Sequence, residues 1–136
     1  MRDVTIKSRN KAIFWGVVLT AAAVVVSFLP MLAWSDLDKV REVRLVARDM
    51  TFYVEGSTEP NPTLAFRAGE KVRLILKNED AGIDHNFSIP TWDAKTKLLE
   101  GKGEDAIEFK VPKRKGSEKY TCTPHSEMMR GTIRIE

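Results

Sequence analysis

The sequence predicts an all-β domain over residues 42–136, an antiparallel β-sandwich or Greek-key barrel, preceded by one transmembrane α-helix. Three observations predict it. Beyond residue 42 hydrophobic residues recur with a period of two, the signature of half-buried strands. Turn-forming residues separate these stretches, and none of them carries a helical period over a useful length. Upstream, residues 12–35 hold no charged side chain and are long enough to cross a bilayer.

The N-terminal elements divide into a cytoplasmic stretch (1–11), the membrane-spanning helix (12–35) and a polar linker (36–41). Trp15 and Trp34 stand near the two ends of the span, where amphipathic rings favour the membrane interface. Pro30 falls in its last turns, which membrane helices tolerate. Arg2, Lys7, Arg9 and Lys11 precede it, whereas Asp36 and Asp38 follow, so the N-terminus faces the cytoplasm and residues 36–136 lie outside, in the periplasm of a bacterial cell. A cleaved signal peptide is the competing reading, with Ala33-Trp34-Ser35 as a small-x-small site. The apolar run exceeds the roughly 7–15 residues of a signal core, which favours a retained anchor. The connector from Ser35 to Arg41 reaches about 25 Å at most, so the outer domain stays close to the membrane.

In the outer domain, Val43, Leu45 and Ala47 alternate with Arg44, Val46 and Arg48, and Thr51 to Val54 continue beyond a bend at Asp49-Met50. Glu55 to Pro62 reads as a loop. Leu64 and Phe66 lead into the turn Ala68-Gly69-Glu70, after which Val72, Leu74 and Leu76 mark the clearest strand. His85, Phe87 and Ile89 share one face of the next. Pro90 to Asp105 is a long irregular connection, with a short helix expected near Ala94–Leu99. Ile107, Phe109 and Val111 alternate again; Tyr120 and Cys122 share a face; Ile133 and Ile135 close the chain. About seven short strands in a domain of this size suffice for a core without disulfides.

Charge and cysteine count narrow the function. Of 22 basic and 19 acidic side chains, four and one lie in residues 1–35, leaving 18 of each in the outer part. A balanced surface offers no basic field for nucleic acid, and that class is excluded. The single cysteine, Cys122, forms no intramolecular disulfide. On the oxidising side of a membrane a lone thiol is exposed to oxidation unless it is buried or metal-bound.

Cys122 stands in Tyr120-Thr121-Cys122-Thr123-Pro124-His125, with Met128 and Met129 just beyond; the other histidine, His85, is far upstream in Asp84-His85-Asn86-Phe87. A thiolate, two imidazoles and a thioether form the ligand set of a blue-copper centre, soft enough for Cu(I) and acceptable to Cu(II). Taken singly, His85 reads as a hydrogen-bonded core histidine, the commoner fate of one histidine on an apolar face, and the methionines also fit as gap fillers. Together, both histidines and the sole cysteine fall at ligand-like positions.

Tyr-x-Cys-Thr-Pro-His followed by Met-Arg-Gly-Thr-Ile resembles the C-terminal copper loop of the cupredoxins, the type 1 blue-copper proteins, and most of all the amicyanin and azurin branches. The resemblance implies a cupredoxin-like Greek-key β-sandwich and one copper ion cycling between Cu(I) and Cu(II). It makes His85, Cys122 and His125 the strong ligands, and His125 the surface port for electrons. It also pairs Asn86 with Thr123 across the ligand segments. For the axial ligand, Met128 has amicyanin-like spacing from His125 and Met129 azurin-like spacing. Met129 shares strand parity with Gly131, Ile133 and Ile135, so Met129 is the expected ligand and Met128 the alternative.

The function this implies is one-electron transfer on the extracytoplasmic face of the cytoplasmic membrane, without catalysis or a small-molecule substrate. Expected partners are redox proteins such as c-type cytochromes, or a membrane-bound oxidase, cytochrome or photosynthetic complex in which the chain is a carrier or a fixed subunit. Copper enzymes of related fold need more histidines than the two present. A copper chaperone, or a metal-free structural subunit of a membrane complex, is the alternative.

Overall fold

In the computed structural model, which describes residues 39–136, period-two alternation resolves into strands. The expected helix over 12–35, the N-terminal stretch 1–11 and residues 36–38 of the linker lie outside the described residues. Among the described residues no helix is long and apolar enough to cross a membrane. The strands are β1 (Val40–Arg48), β2 (Thr51–Val54), β3 (Leu64–Phe66), β4 (Lys71–Asn78), β5 (Asp84–His85), β6 (Ser88–Ile89), β7 (Ala94–Lys95), β8 (Leu99–Glu100), β9 (Gly103–Lys110), β10 (Gly116–Thr121) and β11 (Arg130–Ile135). Val40 and Arg41, which periodicity leaves in the linker, belong to β1.

One sheet runs β2-β1-β4-β9, the other β3-β11-β10-β6-β7, and β5 pairs with β8 in a two-stranded ribbon. Their inner faces supply the core: Leu45, Ala47, Phe52, Val72, Leu74 and Leu76 from the first, Leu64, Phe66, Ile89, Tyr120, Ile133 and Ile135 from the second. The sandwich is mixed rather than purely antiparallel. β1 runs parallel to β4, and β3 parallel to β11. The cause is topological: after the β1–β2 hairpin the chain crosses to the second sheet as β3 and returns as β4 beside β1. Strand periodicity carries no information about pairing direction.

The β1–β2 hairpin turns on Asp49 and Met50, both in the left-handed region (φ 51° and 59°). Positive φ at both central positions of a two-residue loop is the type I′ arrangement, whose twist suits the flanking strands. Non-glycine side chains there are uncommon, so the tight turn is legible in sequence only as a bend.

Two local expectations are corrected. The segment His85–Ile89 is not one continuous strand: β5 pairs with β8, β6 with β10 and β7, and the chain breaks between them. At the break the Phe87 amide donates to Thr96 Oγ1 (2.9 Å) and the Thr96 amide donates to the Phe87 carbonyl (2.9 Å), so the buried backbone stays satisfied. The short helix near Ala94–Leu99 is absent. A single 3-10 turn at Pro90–Trp92 ends on Asp93 (φ 50°), and Ala94–Lys95 then pairs with Ser88–Ile89 as a strand. Ladder bonds to β6 outweigh the weak helical preference of so short a stretch.

Phe52, Phe87 and Tyr120 form an aromatic cluster, Phe87 and Tyr120 stacked at 5.2 Å between centroids. Tyr120 donates its hydroxyl to the Pro62 carbonyl (2.6 Å). Its ring lies over Gly131, where an added Cβ would fall inside it. Gly131→Ala therefore displaces Tyr120 and is expected to destabilise the metal-free protein by about 1–3 kcal/mol, the usual cost of overpacking. A lowered urea midpoint checks this, and an unchanged midpoint contradicts it.

Burial, reinforced by the Glu59 charge, pushes the Tyr120 pKa well above the ordinary phenol value. The unfolded chain releases that proton from about pH 10 while the fold retains it, so this contribution to stability is present below that pH and lost above it. The wild-type advantage over Tyr120→Phe, about 1–3 kcal/mol at neutral pH for a buried hydrogen bond, should shrink in urea titrations above pH 10.

Candidate metal centre

Cys122 follows directly on β10. The β10–β11 ladder ends formally at Thr121 opposite Arg130, but the Cys122 amide donates to the Met129 carbonyl (2.9 Å) and extends it by one pair. Residues facing each other across a ladder project to the same side of the sheet, so Cys122 and Met129 both turn inward. Between them the loop folds tightly on itself. The His125 amide donates to the Cys122 carbonyl (3.2 Å), and those of Met128 and Met129 donate to the His125 carbonyl (3.1 and 2.9 Å).

This folding brings His125 Nδ1 to 3.6 Å from Cys122 Sγ, while β5 brings His85 Nδ1 to 3.7 Å from the same sulfur. The three donor atoms lie within 4.8 Å of one another. Cys122, His85 and Met129 have no solvent exposure, His125 is half-buried, and Met128 is 56% exposed. The structure thus gathers His85, Cys122 and His125, places Met129 on the inner face beside Cys122, and leaves Met128 at the surface.

The chemistry of this donor set fits copper. It offers one sulfur, two imidazole nitrogens and a buried thioether in a pocket shielded from water. Burial pushes the Cys122 thiol above its ordinary pKa, against smaller opposing effects of the Asn86 and His125 backbone. A bound cation supplies the charge that makes a buried thiolate affordable.

Hydrogen bonds from three sides fix the ligand segments. The Asn86 side chain bridges to Thr123 twice: Nδ2 donates to Thr123 Oγ1 (3.0 Å), and Oδ1 accepts from the Thr123 amide (2.7 Å). Two further side chains, Asn61 and Asp80, reach the same segments without any mark in the sequence pattern. Asn61 Nδ2 donates to the Met128 carbonyl (3.0 Å) while its Oδ1 accepts from the Phe52 amide (3.1 Å), tying the β2–β3 loop to the Cys122–Met129 loop. Asp80 Oδ2 lies 2.9 Å from His85 Nε2. In sequence Asn61 sits in an ordinary Pro-Asn-Pro loop, and Asp80 among loop residues of similar polarity. Only the tertiary approach reveals either.

The family model for copper binding proteins, plastocyanin/azurin family, matches residues 59–136. No curated protein matches the chain by sequence. Similar solved structures include auracyanin A, a "blue" copper protein from the green thermophilic photosynthetic bacterium Chloroflexus aurantiacus, at 18% identity over 72% of this chain and 100% of that one (TM-score 0.57). Rusticyanin from Thiobacillus ferrooxidans is similar at 21% identity over 72% of this chain and 78% of its own (TM-score 0.57). A multicopper oxidase from Aquifex aeolicus matches 71% of this chain with 26% of its own at 18% identity (TM-score 0.55). At these identities the likeness is one of fold.

Asn86→Ala removes both bonds to Thr123 and frees the two ligand segments from each other. Metal affinity should fall by about 10–100-fold, the usual effect of losing a group that orients ligands. Competition against a copper chelator reads it, and an unchanged affinity contradicts the bracing role.

Proposed function

Because this chain belongs to the plastocyanin/azurin family of copper-binding proteins, we propose that it is a membrane-anchored type 1 copper protein that carries single electrons between redox proteins on the extracytoplasmic face. One observation supports this above the rest: a buried thiol with two imidazole nitrogens gathered within 4.8 Å. In this reading His85, Cys122 and His125 are the strong ligands, and Met129, inward beside Cys122, is the weak axial one. When bound, copper supplies a one-electron Cu(II)/Cu(I) couple.

The protein's part is to hold these side chains in nearly the same place in both states and to keep water out. The ladder bond of Cys122, the bracing by Asn86 and Asn61 and the buried aromatic cluster do this. His125, half-buried beside the exposed Met128, is the edge through which the electron leaves.

Residues 12–35 are proposed as a retained single-pass anchor, with 1–11 cytoplasmic, a linker from 36 that ends where β1 begins at Val40, and the copper domain outside. Such a tether confines the search for partners to a membrane plane and raises their effective concentration. Partners are taken to be redox proteins, c-type cytochromes or membrane-bound oxidase, cytochrome or photosynthetic complexes. The family consists mostly of electron carriers, and no catalytic step is assigned to this chain.

Adding Cu(II) to the purified chain in detergent should produce an intense absorption toward the red end of the visible spectrum, lost in Cys122→Ser. A colourless protein contradicts the reading and favours a chaperone or structural role. Met129→Gln replaces a soft thioether with a harder donor, favours Cu(II), and should lower the potential by at least about 59 mV, a tenfold change in a one-electron equilibrium. Met128→Gln should leave it unchanged; the reverse outcome exchanges the two methionines. For the anchor, the full chain should stay with membranes after alkaline extraction, with its outer domain open to protease from the periplasmic side. Release into the soluble fraction contradicts it.

A further inference from the structure

The two imidazoles at the centre are held differently. His125 is half-buried at the surface, whereas His85 is completely buried and meets the carboxylate of Asp80 through Nε2 (2.9 Å). Asp80 is built into this position. Its Oδ1 accepts from the Asp49 amide (3.1 Å), and the Met50 amide also favours its charged form. These amides belong to the left-handed β1–β2 turn, which points them at Asp80. The Asp80 amide itself donates to Asn78 Oδ1 (3.0 Å), and Asn78 Nδ2 is fixed by the Ile83 and Leu99 carbonyls (2.8 and 3.3 Å). The Asp80 side chain is 15% exposed.

We propose that Asp80 is a positioning residue that fixes His85 as the Nε2–H tautomer, with Nδ1 bare toward Cys122, and that its charge lowers the reduction potential of the centre. The inference rests on the copper reading above. An imidazole has two nitrogens, and a carboxylate on one selects the other for the metal while raising its basicity. The charge acts in the same direction. With a thiolate and an ionised Asp80, the oxidised centre is formally neutral and the reduced one carries a negative charge. In a buried site of low dielectric the neutral state is favoured.

The test compares wild type, Asp80→Asn, which keeps an acceptor oxygen for His85 without the charge, and Asp80→Ala, which loses both. In copper-loaded full-length protein, redox titration should show the Cu(I)-to-Cu(II) affinity ratio about tenfold higher in Asp80→Asn, a rise of about 59 mV for one electron. Asp80→Ala should rise at least as far. Potentials of both variants equal to wild type, with the visible band intact, overturn the assignment. So does a rise in Asp80→Ala alone, which would leave the effect to the hydrogen bond without the charge. Nitrogen-15 NMR of the metal-free wild type at mildly alkaline pH reads the tautomer without any variant. Nε2–H at His85 is expected, and Nδ1–H overturns the proposal even if the variants do not fold. A wild type that takes up no copper overturns the copper reading as well, whereas a blue wild type with unmoved variant potentials overturns only the role of Asp80.

Discussion

A sulfur atom with no access to solvent, lying 3.6 and 3.7 Å from two imidazole nitrogens, is the constraint around which this domain is arranged. A buried thiol resists ionisation, and a buried thiolate without a cation is costly. The surroundings therefore have to supply a stable cavity and hold nitrogen donors ready at its edge. Cys122 sits where β10 leaves its ladder, pinned to Met129 by one backbone bond. Beneath it Tyr120 packs on Gly131, Phe52 and Phe87.

What makes the arrangement suitable for moving electrons is that no ligand segment stands alone. The Cys122–Met129 loop is tied to the segment after β5 by Asn86 and Thr123, and to the β2–β3 loop by Asn61. The β1–β2 turn reaches His85 through Asp80. Both sheets thus brace the same small volume, and a change of charge there meets a frame with little freedom to rearrange. A site built on rigid elements and supported by hydrogen bonds keeps its geometry better than one built on free loops.

Much of this was legible in the chain, and the limits have physical causes. Alternation at Val72, Leu74 and Leu76 and at Ile133 and Ile135 marked strands because each packs one face against the core. The same parity argument singled out Met129 over Met128, and the structure buries the one and exposes the other. Parallel pairing of β1 with β4 left no local trace, because pairing partners are chosen by the path of the whole chain. The break after His85 and the strand at Ala94–Lys95 depend on Thr96 meeting Phe87 and on the ladder to β6, which are tertiary contacts. Asp80 and Asn61 look in sequence like any polar loop residues; their roles come from what the fold brings against them.

The central claim is that one sulfur and two imidazoles share a copper ion in a frame that barely moves with its charge. X-ray absorption at the copper edge of the loaded protein tests it most directly. The account predicts one short sulfur and two nitrogen neighbours, the same in the oxidised and reduced forms. A shell without sulfur, or one whose ligand number changes on reduction, would contradict it.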